Sequence, residues 1–224
     1  MAGARVYVKA LNHPSKHIIM LENSELLRLS NRHINEASKV FTEAFTDYPL
    51  FKHLIEEPKA RPRVYPLIFK LMVKHTVKFG WAYGTSENME GIALWLPSER
   101  SNISLWSNLT NGGIELLIKA GLRISYRSMV FTEFASKLHH KVINEPHIYL
   151  FQIGVKKQYR GKGIASKLMR PILAYADSEE KSIFLETHDE TNLPVYQHYH
   201  FETIRHEKIP DSDVNHWTMI RTPQ

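Results

Sequence analysis

The chain contains no cysteine, which excludes a disulfide framework, a thiolate nucleophile and any cysteine-ligated zinc or iron–sulfur centre. A cysteine-free chain suits a reducing compartment, and a cytoplasmic location is expected. No apolar run approaches the roughly 20 residues that a membrane-spanning helix needs. The N-terminus, MAGARVYVKALNHPSKHIIML, lacks the sustained apolar core and cleavage site of a signal peptide. Thirteen histidines are present, but there is no H-E-x-x-H zinc signature. His139 and His140 are neighbours on an expected helix and so point apart, and His198 and His200 lie at a helix end. No metal site is expected. Two nucleotide-binding signatures also fail on spacing. A Walker A loop would need glycine at Lys156 and Ser or Thr at Gly163, and a dinucleotide-binding G-x-G-x-x-G would need glycine at Ser166.

What is present fits one domain: 224 residues, 43% hydrophobic and 23% charged. The formal charge of +6, from 29 Lys+Arg against 23 Asp+Glu, points to an anionic partner. Six basic residues (Lys156, Lys157, Arg160, Lys162, Lys167 and Arg170) lie in one stretch with no acidic residue among them. A single phosphate-bearing ligand accounts for that cluster. Neither nucleic acid nor a membrane surface is then needed as a partner, although a basic nucleic-acid-binding module stays open as an alternative.

Residues 1–30 suggest only an N-terminal arm or short strand. His33 to Asp47 and Arg61 to Phe79 carry helical periodicity, the second with Pro62 near its start and Gly80 past its end. Trp81–Ser86 and Gly91–Pro97 read as an antiparallel strand pair. Residues 98–146 read as a helical insertion, with helices over Ile114–Ser125 and Val130–Val142. Ile148–Val155 is a near-continuous apolar run, as in a strand buried on both faces. A helix from about Gly163 to Ala176 follows, with Pro171 expected to kink it. Next come a strand at Ser182–Thr187, a short helix near Leu193–Tyr199, and strands at Phe201–Lys208 and His216–Arg221. Strand–loop–helix–strand implies a parallel pair with a right-handed crossover. With the earlier hairpin, the expected fold is a single α/β domain over 31–224 with a mixed sheet. Trp95 and Trp81 read as core aromatics.

Gln158-Tyr159-Arg160-Gly161-Lys162-Gly163-Ile164-Ala165 joins a buried strand to a helix N-terminus. Such a junction offers unpaired amides and the positive end of a helix dipole. Glycines allow close approach of backbone to phosphate, and Arg160 and Lys162 are placed to supply countercharge.

This junction resembles the GNAT superfamily signature Gln/Arg-x-x-Gly-x-Gly/Ala, with Arg160, Gly163 and Ala165 in register. YLFQIGV is similar to that family's fourth strand, and SIFLETHDETNLPVYQHYHF to its fifth strand and following helix. Phe184–Thr187, Asn192–Pro194, Tyr196 and the strand GIALWLP (residues 91–97) most resemble puromycin N-acetyltransferase-like members. The resemblance covers about half the chain. It implies a mostly antiparallel sheet with a splayed parallel central pair and helices on both faces, and acetyl-CoA as co-substrate. It implies a pantetheine arm along Ile153, Gly154 and Val155 and a pyrophosphate held by Arg160, Gly161, Lys162, Gly163, Ile164 and Ala165. Glycine at 154 also suits a bulge or a close backbone approach. Tyr196 matches the tyrosine that faces the departing sulfur. Asn192 either contacts the cofactor or caps the helix before Pro194. The family's Gly-Phe after that helix is His200-Phe201 here.

The nucleophile must be a neutral amine. An ε-amine of pKa near 10.4 is only about 0.04% neutral at pH 7, and an α-amine of pKa near 7.7 about 15%. A base is therefore wanted, and Glu186 is the first candidate, with His188 and His147 behind it. The alternative for Glu186 is a structural carboxylate. The expected activity is transfer of acetyl to a primary amine, of a small molecule in the first reading and of a protein or peptide in the second. A third reading is a non-catalytic acyl-CoA sensor. Either a monomer or a homodimer is compatible.

Overall fold

A computed structural model of the protein describes residues 25–101 and 114–224. Helix α1 (Ile34–Ala44) turns Ile34, Ala37, Val40 and Phe41 inward at the expected spacing. A short helix with no counterpart in the sequence expectations, α2 (Pro49–Leu54), follows it. It is too short to display a period, and Pro49 at its first position starts it. Helix α3 (Arg61–Phe79) has the expected bounds, with Pro62 in its first turn and Gly80 past its end. The span α4 (Ile114–Val142) is two helical stretches that meet at a kink, as the two helices expected here imply, but the break is not between Ser125 and Val130. Tyr126 to Met129 contain no helix breaker, so the chain stays helical there. The interruption falls instead at Gly121, whose φ of 79° and ψ of 170° only glycine adopts readily. Pro171 lies inside α5 (Ile164–Ser178), which keeps helical backbone on both sides of it. The last helix, α6, spans Leu193–His198.

Seven strands form one sheet: β1 (Leu27–Arg28), β2 (Trp81–Gly84), β3 (Gly91–Pro97), β4 (Ile148–Val155), β5 (Ile183–Thr187), β6 (Glu202–Lys208) and β7 (Asn215–Arg221). Their spatial order is β1-β2-β3-β4-β5-β7-β6. Every pairing is antiparallel except β4 with β5. Residues 1–24, which hold most of the expected N-terminal arm, fall outside the described residues. The last two strands form a hairpin whose second arm is the inner one. The apolar β7 is buried, and the charged ETIRHEK of β6 takes the solvent edge, where its side chains discourage further pairing.

Helices cover both faces. Phe41, Phe69 and Val73 of α1 and α3 pack on Ile92 and Leu94. On the other face Leu168, Met169 and Ile172 of α5 pack on Ala93, Trp95 and Leu150. Each large apolar side chain buried in this way contributes about 1.5–3 kcal/mol. Trp95 is fully buried as expected, whereas Trp81 is partly buried against Tyr175.

The parallel pair is short. Ile148, Tyr149 and Leu150 face Ile183, Phe184 and Leu185, after which β4 runs to Val155 and β5 to Thr187 without pairing to each other. The parting coincides with a bulge. In the β3 register Leu94 faces Gln152 and Trp95 faces Leu150, so Phe151 has no partner. An unpaired residue bends the strand and sharpens its twist, which carries β4 away from β5.

Candidate active site

The phosphate-binding expectation rests on the turn before α5. Gly161 and Gly163 both have left-handed backbone, with φ of 72° and 75°. A Cβ at either would meet nothing within 4 Å, so conformation and not space requires glycine. The amides of residues 161–166 find no hydrogen-bond partner among the described residues. They lie around the N-terminus of α5, its positive end. That is the donor array a diphosphate requires.

The side chains of Arg160 and Lys162 both make contacts within the protein. Arg160 donates to the carbonyl of Ala44 (2.9 Å) and more weakly to that of Val155 (3.4 Å), fastening the turn to the end of α1. Lys162 folds over the Tyr159 ring, 5.5 Å from its centroid, and does not line the cavity. In this arrangement Arg160 shapes the turn that presents the free amides, and it also lines the cavity described next.

One cavity of about 1570 Å³ begins at this turn. Its lining includes Ile164, Met169 and Tyr196 from one side of the sheet and Tyr149, Glu186 and His139 from the other. The cavity therefore passes through the gap between β4 and β5. Ile153, Gly154 and Val155 line it along the unpaired edge of β4. Gly154 also meets a steric demand from behind. A Cβ there would lie 2.9 Å from Phe41 Cδ1 and 3.2 Å from Ala44 Cβ. The bulge itself is at Phe151, not at Gly154, and the role left to Gly154 is close approach to α1.

Glu186 sits where the strands part, with 9% of its side chain exposed. Burial raises its pKa to about 7, opposed by a hydrogen bond that Tyr149 Oη donates to Oε2 over 3.0 Å. His216 Nε2 is 3.6 Å from Oε1 and has no hydrogen-bond partner of its own. From His216 a buried line of polar groups continues. Its Nδ1 is 2.9 Å from His188 Nε2, and His188 Nδ1 is 3.4 Å from the Tyr48 hydroxyl. Tyr48 Oη accepts from the His188 amide at 2.8 Å and lies 3.2 Å from Thr187 Oγ1. Burial keeps both rings uncharged, with His216 lowered to about 4 and His188 well below its ordinary value.

His147 does not line the cavity. Its Nε2 is 2.7 Å from His139 Nε2, and its Nδ1 is 2.7 Å from the carbonyl of Glu145. Among the described residues no group of three or more His, Cys, Asp or Glu is arranged to hold a metal ion.

Tyr196 opens onto the cavity from the α5 side of the sheet. Burial, with a smaller contribution from Tyr48, pushes its pKa far above the ordinary value, so the phenol stays protonated. It is held by the C-terminal turn of α6. The Phe201 amide donates to the Tyr196 carbonyl (3.1 Å), the His200 amide donates to that of Gln197 (2.9 Å), and the Phe201 ring packs on that of Tyr196. This is a Schellman termination, which calls for left-handed backbone at its penultimate residue. His200 adopts it, with φ of 65°. The departure from Gly-Phe thus leaves the turn geometry intact and carries strain instead.

The capping expectation for Asn192 fails. Its side chain makes no cap bond, and its Nδ2 donates to Thr187 Oγ1 at 3.2 Å. The cap is Asp189, three residues earlier, whose carboxylate accepts from the Thr191 amide. Asn192 still lines the cavity. Tyr149, His216 and Tyr48 escaped the sequence reading. The first was absorbed into an apolar strand, and the others are remote in sequence from Glu186.

The profile of the acetyltransferase (GNAT) family matches residues 129–201. An uncharacterized N-acetyltransferase of Schizosaccharomyces pombe is 26% identical over 183 residues, which are 78% of this chain and 72% of that protein. The structure of histone acetyltransferase HPA2 and related acetyltransferase from Corynebacterium glutamicum matches with a TM-score of 0.63 at 20% identity, covering 89% of this chain and 96% of that one. Arylalkylamine N-acetyltransferase 2 from Aedes aegypti matches with a TM-score of 0.59 at 13% identity, covering 89% and 98%. The chain has the GNAT acetyltransferase fold.

Proposed function

We propose that the protein is an N-acetyltransferase that moves the acetyl group of acetyl-CoA to a primary amine of a small molecule. The observation that carries this reading is the continuity of one cavity. It runs from the free amides of residues 161–166, along the unpaired edge of β4, to Glu186 and Tyr196 on opposite faces of the sheet. A diphosphate suits the amides, and an extended pantetheine arm suits Ile153, Gly154 and Val155, with Asn192 beside it.

Glu186, with its pKa near neutrality, accepts the proton that the amine loses as its nitrogen bonds to the acetyl carbon. The carbon–sulfur bond breaks, and Tyr196 donates its hydroxyl proton to the leaving sulfur. Unpaired main-chain donors on β4 are suited to the carbonyl oxygen as its charge builds. The likeness of Phe184–Thr187, Asn192–Pro194 and Tyr196 to puromycin N-acetyltransferase-like proteins favours a small-molecule acceptor over a peptide.

Calorimetry with acetyl-CoA, followed by an amine-library assay for free thiol, tests the reading. Binding with turnover is expected. Binding without turnover on any amine or peptide would make the protein a sensor, and absence of binding would remove the core of the reading.

A further inference from the structure

The cavity has two chemically unlike ends. Lys157 and Arg160 are the only Lys or Arg side chains among its described lining residues, and both belong to the turn before α5. Beyond Glu186 the walls come from α2, α3 and α4: Leu50, Phe51, Ile68, Met72, Ile124 and Phe131. Phe131 closes on the His188 ring, with centroids 5.4 Å apart. Of the hydroxyls on this side, Ser125 donates to the Gly121 carbonyl and Thr132 to that of Ser128. Glu43, Asp47, Glu133 and Asp189 also line the cavity, but Glu133 is paired with Lys137 at 2.6 Å, Glu43 accepts from the Lys157 amide, Asp189 accepts from Thr191, and Asp47 is exposed to solvent. His139 and His188 border this end as uncharged rings. Glu186 is the enclosed carboxylate.

We infer that this end accepts a primary amine carried on an apolar aryl or branched-alkyl body with no second charged group. The inference rests on the acetyltransferase reading of the same cavity and narrows it. A carboxylate or phosphate on the acceptor would leave water without a cation to meet it. A second ammonium would compete for Glu186, which the reacting nitrogen needs. Either charge would be buried without compensation. An apolar body loses nothing polar on entry. The same walls disfavour the ammonium form of the amine they enclose, which helps it reach the neutral state that attacks.

The test uses the full chain at saturating acetyl-CoA and reads free thiol release. One group of acceptors is 2-phenylethylamine, tryptamine and isoamylamine. The other is spermidine, lysine, glutamate and a tetrapeptide with a free N-terminus. A kcat/KM at least tenfold higher for the best of the first group than for any of the second is the expected result. Equal or better turnover in the second group overturns the inference and leaves the acetyltransferase reading standing. Failure of every amine, with acetyl-CoA binding intact by calorimetry, overturns it as well. Loss of acetyl-CoA binding itself would take both readings down together, and the calorimetric arm separates that case.

Discussion

Tyr149 Oη donates a 3.0 Å hydrogen bond to Glu186 Oε2 from the adjoining strand, just where β4 and β5 part. Burial holds the Glu186 carboxyl up, to about 7, and this bond is what keeps it from rising further. Tyr149→Phe removes the donor and leaves the ring. The acid limb of kcat/KM is expected to move to higher pH by about half to one unit, with the plateau rate little changed. A limb that stays in place assigns it to another group.

Tyr196→Phe keeps the ring on Phe201 and deletes the proton. If that proton goes to the departing sulfur, the loss falls on turnover and not on binding. A kcat reduced about 10- to 100-fold, with KM for acetyl-CoA within about twofold, is expected. Steady-state kinetics with both substrates varied decide it, and an unchanged kcat would remove Tyr196 from the chemistry.

Gly163 separates backbone strain from ligand exclusion. Gly163→Ala forces a Cβ into left-handed backbone, at a cost of about 1–2 kcal/mol, into otherwise open space. Gly163→Glu adds the same strain and also a carboxylate beside the free amides. Both variants should melt a few degrees low. Only the glutamate variant should lose acetyl-CoA affinity by about 100-fold or more, which calorimetry reads directly.

Much of this arrangement was legible in the chain. The helical periods of α1 and α3, the apolar run of β4 and the glycines before α5 are local signals, and local sequence displays them. The parting of β4 and β5 was implied by resemblance only, because its cause is a bulge at Phe151 and nothing in YLFQIGV marks one residue as unpaired. His216 reaches Glu186 because β7 pairs with β5 in place of β6, a choice between two neighbouring strands that periodicity does not make. Residue type alone does not set the orientation of Arg160 and Lys162, which depends on a carbonyl of α1 and a tyrosine ring.

His200 occupies the left-handed position of the turn that holds Tyr196. A side chain with a Cβ pays about 1–2 kcal/mol there, offset in part by the greater backbone entropy that glycine loses on folding. His200→Gly is therefore expected to stabilise the protein by about 0.5–1 kcal/mol in urea titration, with activity unchanged. A destabilised variant would show that the imidazole makes a contact worth more than the strain.

Burial of uncharged histidines sets the response to acid. His139 is lowered to about 3 and His216 to about 4, with His188 well below its ordinary value and His147 also lowered. In the unfolded chain each binds a proton near pH 6.5. Between that pH and about 4 the unfolded state holds more protons, so stability is full above 6.5 and falls as pH drops. Glu186 acts in the opposite sense between about 4.5 and 7, because its folded pKa is the higher one and the native state holds the extra proton. The three histidines held farthest below their ordinary value, His139, His188 and His216, against one carboxyl leave a net difference of about two protons near pH 5.5, or about 3 kcal/mol per pH unit, and the lowered His147, His75 and His53 act in the same direction. Over the two to three pH units below 6.5 this amounts to several kcal/mol, a large part of the about 5–15 kcal/mol by which a domain is ordinarily stable. Urea midpoints measured from pH 7.5 to 5 should show this slope. His139→Phe, which keeps the stacking on Phe184 now made at 4.0 Å, should reduce it by about 1.4 kcal/mol per pH unit. A slope of one proton or less would mean that the rings take up protons in the native state and that water reaches them.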